Sequence, residues 1–168
     1  LTIGNRLHLR RRGDYLPPMD YDTLSATLDS LCHGETDTVA LMATIACELH
    51  HAHPLSDWTG FYRVTGPEML KIGPYQGGHG CLAIPFSRGV CGAAARTGQV
   101  QIVPDVDLFP GHIACASSTR SELVLPVWNG AGKLLGVLDL DSNTEAAFTQ
   151  TDADALAAIM SRLFKDAA

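Results

Sequence analysis

Three of the five cysteines, Cys81, Cys91 and Cys115, fall within residues 73–126, a stretch rich in glycine, alanine and serine. A cysteine that fills a core usually stands inside an apolar run. These three occupy loop-like or helix-start settings, where reactive thiols are found. Carboxylates follow closely, Glu122 in RSELVLP and Asp139 with Asp141 in GVLDLDS. A thiolate is a soft nucleophile, and a carboxyl kept in its acid form donates a proton, so the two together suit thiol redox chemistry in one cavity.

At 168 residues the chain fits one domain, long enough to bury a core without disulfides or a structural metal. The cysteines are then free for chemistry. A net charge of -6 disfavours nucleic acid and anionic lipid as partners and suits a small soluble substrate. No apolar run approaches the roughly 18 to 20 residues of a membrane span and no secretory signal opens the chain, so the expected setting is cytoplasmic. Five cysteines without a CxxC pair argue against a disulfide scaffold and against the common zinc spacings. A zinc set of Cys81, Cys91 and Cys115 with His79 or His112 lacks paired ligands, and no metal is expected.

Residues 1–18 form an Arg-rich arm ending at Pro17-Pro18, and residues 19–168 the single domain. From Asp20, Leu24, Leu28 and Leu31 recur at helical spacing, with Gly34 as a stop. A second helix begins at Thr36-Asp37 and carries Leu41, Met42, Ile45 and Leu49 on one face. Its last turn holds His50, His51 and, before Pro54, His53. Histidines there suit the negative end of a helix dipole better than a metal without evident partners. Cys32 and Cys47 lie within these helices and are expected to be buried and inert.

Residues 58–64 read as a strand with Trp58, Gly60 and Tyr62 on one face, and residues 69–72 as its hairpin partner. The four glycines of 73–80 suggest a loop ending at Cys81. A short strand over 82–86 leads to a helix over 88–98 that Gly98 stops, with Cys91 in its first turn. The positive helix end there favours a thiolate and a lowered pKa. Residues 100–103 form another strand. The loop from Asp105 to Ser118 is long enough to be functional. Residues 149–164 close the chain as a capped helix whose apolar stripe docks on the sheet.

Residues 122–128 and 133–141 form the clearest hairpin, turning at Asn129 to Gly132. With Trp128 opposite Lys133, Glu122 faces Asp139, and period-two alternation puts Asp141 on the same side. Like charges opposed across strands are destabilising. Such a cluster is therefore expected to be a site that binds a cation or holds a proton.

Five segments, DWTGFY (57–62), GPYQGGHGC (73–81), IPFSRGVCG (84–92), PDVDLFPGHIACASSTRSE (104–122) and GVLDLDS (136–142), together resemble the free methionine-(R)-sulfoxide reductases, a catalytic branch of the GAF-domain superfamily. The resemblance implies an α+β fold: a six-stranded antiparallel sheet with the terminal helices on one face and the ligand pocket on the other, in a homodimer. It implies reduction of free L-methionine-(R)-sulfoxide. Cys115 is the expected nucleophile, passing through a sulfenic acid, and by resemblance Cys81 resolves it as a disulfide. Cys91 stands as a second relay thiol or as an alternative nucleophile. Glu122, Asp139 and Asp141 bind substrate and protonate its oxygen, and Trp58 and Tyr62 pack its methyl and thioether. No flavin or nicotinamide motif is present, so no cofactor is expected and thioredoxin is the expected reductant. Two other functions share these features, a non-catalytic ligand-binding GAF module and a peroxide-responsive thiol sensor.

Overall fold

The structure, a computed structural model, describes residues 19–113 and 115–168. The arm expected over residues 1–18 lies outside the described residues. Two helices come first, α1 (Tyr21–Leu31) and α2 (Thr38–Ala52). The Asp20 side chain caps α1 by accepting from the Thr23 N–H at 2.9 Å, and Asp37 caps α2 by accepting from the Ala40 N–H at 2.7 Å. Then follow β1 (Trp58–Gly66), β2 (Met69–Gln76), β3 (Ala83–Pro85), α3 (Gly89–Thr97), β4 (Gln101–Val103), a 3-10 turn at Val106–Leu108, β5 (Ser121–Trp128), β6 (Leu134–Ser142) and α4 (Gln150–Leu163). Thr149 and Asp152 form the expected reciprocal capping box on α4. Gly98 ends α3 with φ +66, the left-handed cap its sequence position suggests.

The six strands form one antiparallel sheet in the order β3-β2-β1-β6-β5-β4. Alternation along the central strands sends two sets of side chains to opposite faces. Phe61, Leu123, Leu125, Leu138 and Leu140 point to α1, α2 and α4 and share a core with Leu28, Ile45, Leu49 and Leu156. Phe61 lies 6.0 Å, centroid to centroid, from Phe164 just beyond α4. Trp58, Tyr62, Val124 and Val137 point the other way, against Val90, Cys91 and Ala94 of α3. Both faces are therefore covered, which is why β5 reads as an almost unbroken apolar run. This is the expected α+β architecture, with terminal helices on one face and a second layer on the other. No helix among the described residues is long and apolar enough to cross a membrane.

Two sequence expectations about the sheet need correction. The β5–β6 hairpin pairs Glu122 with Asp141 and Val124 with Asp139, rather than Glu122 with Asp139. Asn129 closes the turn: its N–H donates to the Lys133 carbonyl at 3.0 Å, and its side chain accepts from the Ala131 and Lys133 N–H groups. Trp128 then pairs with Leu134, and an irregularity between Val127 and Trp128 adds one more residue to the offset. A shift of two keeps every side chain on its face, so the three acids still share one side. The second correction concerns residues 73–80, expected as a loop. β2 continues to Gln76 because Tyr75 and Gln76 pair with Gly60 and Thr59 of β1, leaving a loop over 77–82.

The pairings lay out two short rows on the α3 face. Glu122, Asp141 and Trp58 sit side by side across β5, β6 and β1, and Val124, Asp139 and Gly60 form the next row. Gly60 leaves the space that the Trp58 indole occupies. A Cβ there would lie 2.5 Å from Trp58 Cη2 and against the Tyr75 Cβ. Trp58 stacks on Tyr75 at 5.4 Å and on Tyr62 at 5.9 Å, so this absent side chain sets the position of the whole aromatic wall. Gly60→Ala is expected to destabilise the fold by about 1–3 kcal/mol through overpacking, with altered tryptophan fluorescence. Urea unfolding checks this, and an unchanged midpoint and spectrum would show that the wall is held by other contacts.

Candidate active site

A cavity on the α3 face of the sheet is lined by Trp58 and Tyr62 from β1, Glu122 from β5, Asp139 and Asp141 from β6, Cys91 from α3, and Cys115 from the loop before β5. These are the sequence-identified residues with one exception, Cys81, which does not line it. Instead Cys81 is bonded to Cys115, with Cα atoms 5.1 Å apart and a sequence separation of 34. One cysteine follows β2 and the other precedes β5, so the bridge joins loops from opposite sides of the sheet above its centre. In this state the cavity holds about 30 Å³ of free volume, room for a water or two.

Glu122, 7 % exposed, and Asp139, 4 %, are buried, and Asp141 is half-buried. Burial, then the charges of Asp139 and Asp141, pushes the Glu122 carboxyl well above its ordinary range. Asp141 is likewise raised well above it, by burial first and then by Asp139, against a hydrogen bond from Thr119 that favours the charged form. Asp139 is raised to about 7 by burial, offset in part by the Cys91 thiol, which donates to Oδ2 at 3.2 Å. Near neutrality the group therefore holds protons that isolated carboxyls would have lost. Glu122 Oε2 and Asp139 Oδ1 are buried without a hydrogen-bond partner among the described residues. His112 Nε2 stands 3.7 Å from Glu122 Oε2, too long for a hydrogen bond.

Cys91 overturns the expectation of a low-pKa thiolate. It does occupy the first turn of α3, but it is 3 % exposed. Burial and the neighbouring Asp139 and Glu122 charges raise its pKa well above the ordinary value. A helix end contributes at most about 2 kcal/mol. Desolvation beside carboxylates outweighs that, and Cys91 stands as a neutral hydrogen-bond donor. The zinc set considered from the sequence does not assemble here, since Cys81 and Cys115 are bonded to each other. Of the two helix cysteines expected to be buried, Cys32 is, whereas Cys47 is only half-buried beside His51.

The aromatic wall is fixed by polar contacts at its edges. Trp58 Nε1–H donates to the Gly78 carbonyl at 3.1 Å, tying the indole to the loop that carries Cys81. The Tyr62 hydroxyl, its pKa raised by burial first and then by Asp139, accepts from the Cys81 backbone N–H. Sequence reading did not single out Ile84, Ile113 or Thr119, which also line the cavity. Ile84 and Ile113 give it an apolar rim, and no spacing pattern marks them. His50, His51 and His53 form no group of converging ligand atoms among the described residues. His51 Nδ1 lies 2.7 Å from the Cys47 carbonyl, and His53 packs on Phe148 with ring centroids 5.4 Å apart.

The GAF domain family model matches residues 32–163. Among curated relatives, the free methionine-R-sulfoxide reductase of Escherichia coli is 38 % identical over 145 residues, 86 % of this chain and 87 % of that one. The chain belongs to the free methionine-R-sulfoxide reductase family of GAF domains. The Saccharomyces cerevisiae member is 38 % identical over 141 residues, 80 % of this chain and 78 % of its own. The crystal structure of the Neisseria meningitidis free methionine-R-sulfoxide reductase with its substrate superposes with a TM-score of 0.80 at 40 % identity, covering 89 % of this chain and 93 % of that chain.

For this family member the buried acids carry a stability cost with a definite sign. The native Asp139 carboxyl keeps its proton to about pH 7, whereas its ordinary value is 3.8. Between those values the native state binds more protons than the unfolded chain, so stability falls as pH rises through that window. Asp139→Asn is expected to be more stable than the parent near pH 8, by about 1 kcal/mol or more, with the gain shrinking below about pH 4. Urea unfolding at both pH values measures it. A variant less stable than the parent near pH 8 would mean that the carboxylate is stabilising where it stands.

Proposed function

We propose that this protein reduces free L-methionine-(R)-sulfoxide to methionine, with Cys115 as nucleophile and Cys81 as resolving thiol. The observation that carries the reading is the Cys81–Cys115 disulfide at the mouth of a cavity floored by three carboxyls. Cys115 lines that cavity and Cys81 does not, which supports giving the attack on sulfur to Cys115. The reductase names of the relatives and the substrate complex of the Neisseria meningitidis protein support the substrate.

In the first step the Cys115 thiolate attacks the sulfoxide sulfur while a carboxyl protonates the oxygen. The sulfoxide S–O bond breaks, methionine leaves, and the oxygen passes to the Cys115 sulfur as a sulfenic acid. The Cys81 thiol then displaces that oxygen as water, forming the disulfide. An external dithiol, which we assign to thioredoxin, returns both cysteines to thiols by exchange. Glu122 or Asp141, both held in the acid form by burial, is suited to donate the proton. The remaining negative charge attracts the substrate's ammonium group, which a methionine inside a protein chain lacks. Trp58 and Tyr62 pack the methyl and thioether. In this reading Cys91 is neither nucleophile nor relay; it donates its S–H to Asp139 and so favours that carboxylate's charged form. We further propose a homodimer working in the cytoplasm. A purely peroxide-sensing disulfide would leave the acid cluster without a role.

The test is NADPH oxidation coupled through thioredoxin and its reductase, offering the free R and S sulfoxides and an R sulfoxide with a blocked amine. Turnover is expected for the free R form alone. Cys115→Ser is expected to abolish it, Cys81→Ser to release about one methionine per chain and stop, and Cys91→Ser to keep cycling. Sustained turnover by Cys115→Ser, or consumption of none of the three compounds by reduced protein, would overturn the assignment.

A further inference from the structure

The cavity contains a donor set that no spacing in the sequence reveals. The Cys91 sulfur and one oxygen each from Glu122 and Asp139 lie within 4.8 Å of one another, all three residues buried. They come from α3, β5 and β6, so they meet only in the folded chain. Two of the three also carry an oxygen, Glu122 Oε2 and Asp139 Oδ1, that is buried without a hydrogen-bond partner among the described residues. Buried carboxylate oxygens are normally satisfied, and an unsatisfied pair facing a cavity is what a cation would occupy.

We infer that Cys91, Glu122 and Asp139 form a binding site for a thiophilic divalent cation of the zinc class. Metal–ligand distances of about 2.0 to 2.3 Å place tetrahedral donors roughly 3.3 to 3.8 Å apart. Cys91 Sγ and Asp139 Oδ2 already stand 3.2 Å apart, and His112 Nε2 and Glu122 Oε2 3.7 Å. Modest rotation of the carboxylates completes the geometry, and His112 or a water supplies the fourth ligand. One thiolate with two carboxylates selects zinc or cobalt over magnesium and calcium, which take oxygen donors only. On binding, the metal displaces the thiol proton and any carboxyl proton to solvent. The first turn of α3, unable to make Cys91 a free thiolate, does favour the sulfur's negative charge once a cation holds it. Cys81 and Cys115 are not ligands, so the site exists in the disulfide form.

The consequence for turnover rests on the proposed reduction. A cation on Glu122 and Asp139 displaces the Glu122 proton and covers the ammonium site, so zinc inhibits. Binding itself is independent of that reading and is tested without substrate. The full chain, oxidised to the disulfide form, is titrated with cobalt(II) alone while the thiolate-to-cobalt charge-transfer absorption is recorded, followed by displacement with zinc. About one cobalt ion per chain with a thiolate band is expected. Cys91→Ser is expected to lose the band. Glu122→Gln, which keeps the thiol, is expected to bind about tenfold more weakly or worse, and Cys47→Ser is expected to behave as the parent. Absence of the band from the parent, or its survival in Cys91→Ser, overturns the site. A chain that reduces the sulfoxide but binds no cobalt loses only this inference. One that binds cobalt through Cys91 but reduces nothing keeps the site and loses the reductase reading.

Discussion

Three carboxyls and a thiol held together, largely out of water, are the constraint on which this structure depends. Glu122 and Asp141 are direct cross-strand partners, with Asp139 two residues along the same face and Cys91 hydrogen-bonded to it. A surface cluster of this kind would be screened and solvated. Buried, it stays together only by retaining protons, and the surrounding fold supplies the burial. α3 covers the acids from above, the Trp58 and Tyr62 wall closes one side, and the helical layer behind the sheet fixes the strands. The helical core thus holds in place a polar cluster that works against stability near neutrality.

Competition between local and tertiary electrostatics decides what each thiol can do. Cys91 has the helix position that ordinarily activates a cysteine, yet it is enclosed beside carboxylates and keeps its proton. Cys81 and Cys115 sit in loops, half-exposed, and are the pair that oxidises. Exposure and a neighbour within bonding reach outweigh the helix end, so reactivity follows the loops and hydrogen bonding follows the helix.

Much of this was legible in the sequence because it depends on short-range rules. Asp37, Thr149 and Gly98 marked helix ends through capping chemistry, and the apolar spacings of α1, α2 and α4 marked their buried faces. Parity put Trp58 with Tyr62 on one face of β1, and the three acids on one face of β5 and β6 even though the pairing expected there is off by two residues; that the two groups share a face follows from the β1–β6 pairing. The register itself depended on how Asn129 closes the turn, and the irregularity at Val127 has no sequence signature. Tyr75 and Gln76 belong to β2 because β1 offers them partners, which a glycine-rich composition conceals. The disulfide pairing came from family resemblance, and the direction of the Cys91 pKa needed the packed environment. Ile84, Ile113 and Thr119 reach the cavity through tertiary packing alone.

The bridge between two loops over the centre of the sheet also imposes an order on events. With Cys81 and Cys115 joined, the space above the acids admits a water or two, far less than an amino acid of methionine's size. In the proposed reduction, the next substrate enters once the bridge is cut and the loops carrying Cys81 and Cys115 can part. On that proposal the two half-reactions alternate, and the cycle has the form of a double displacement in which the redox state of one bond serves as the turnstile.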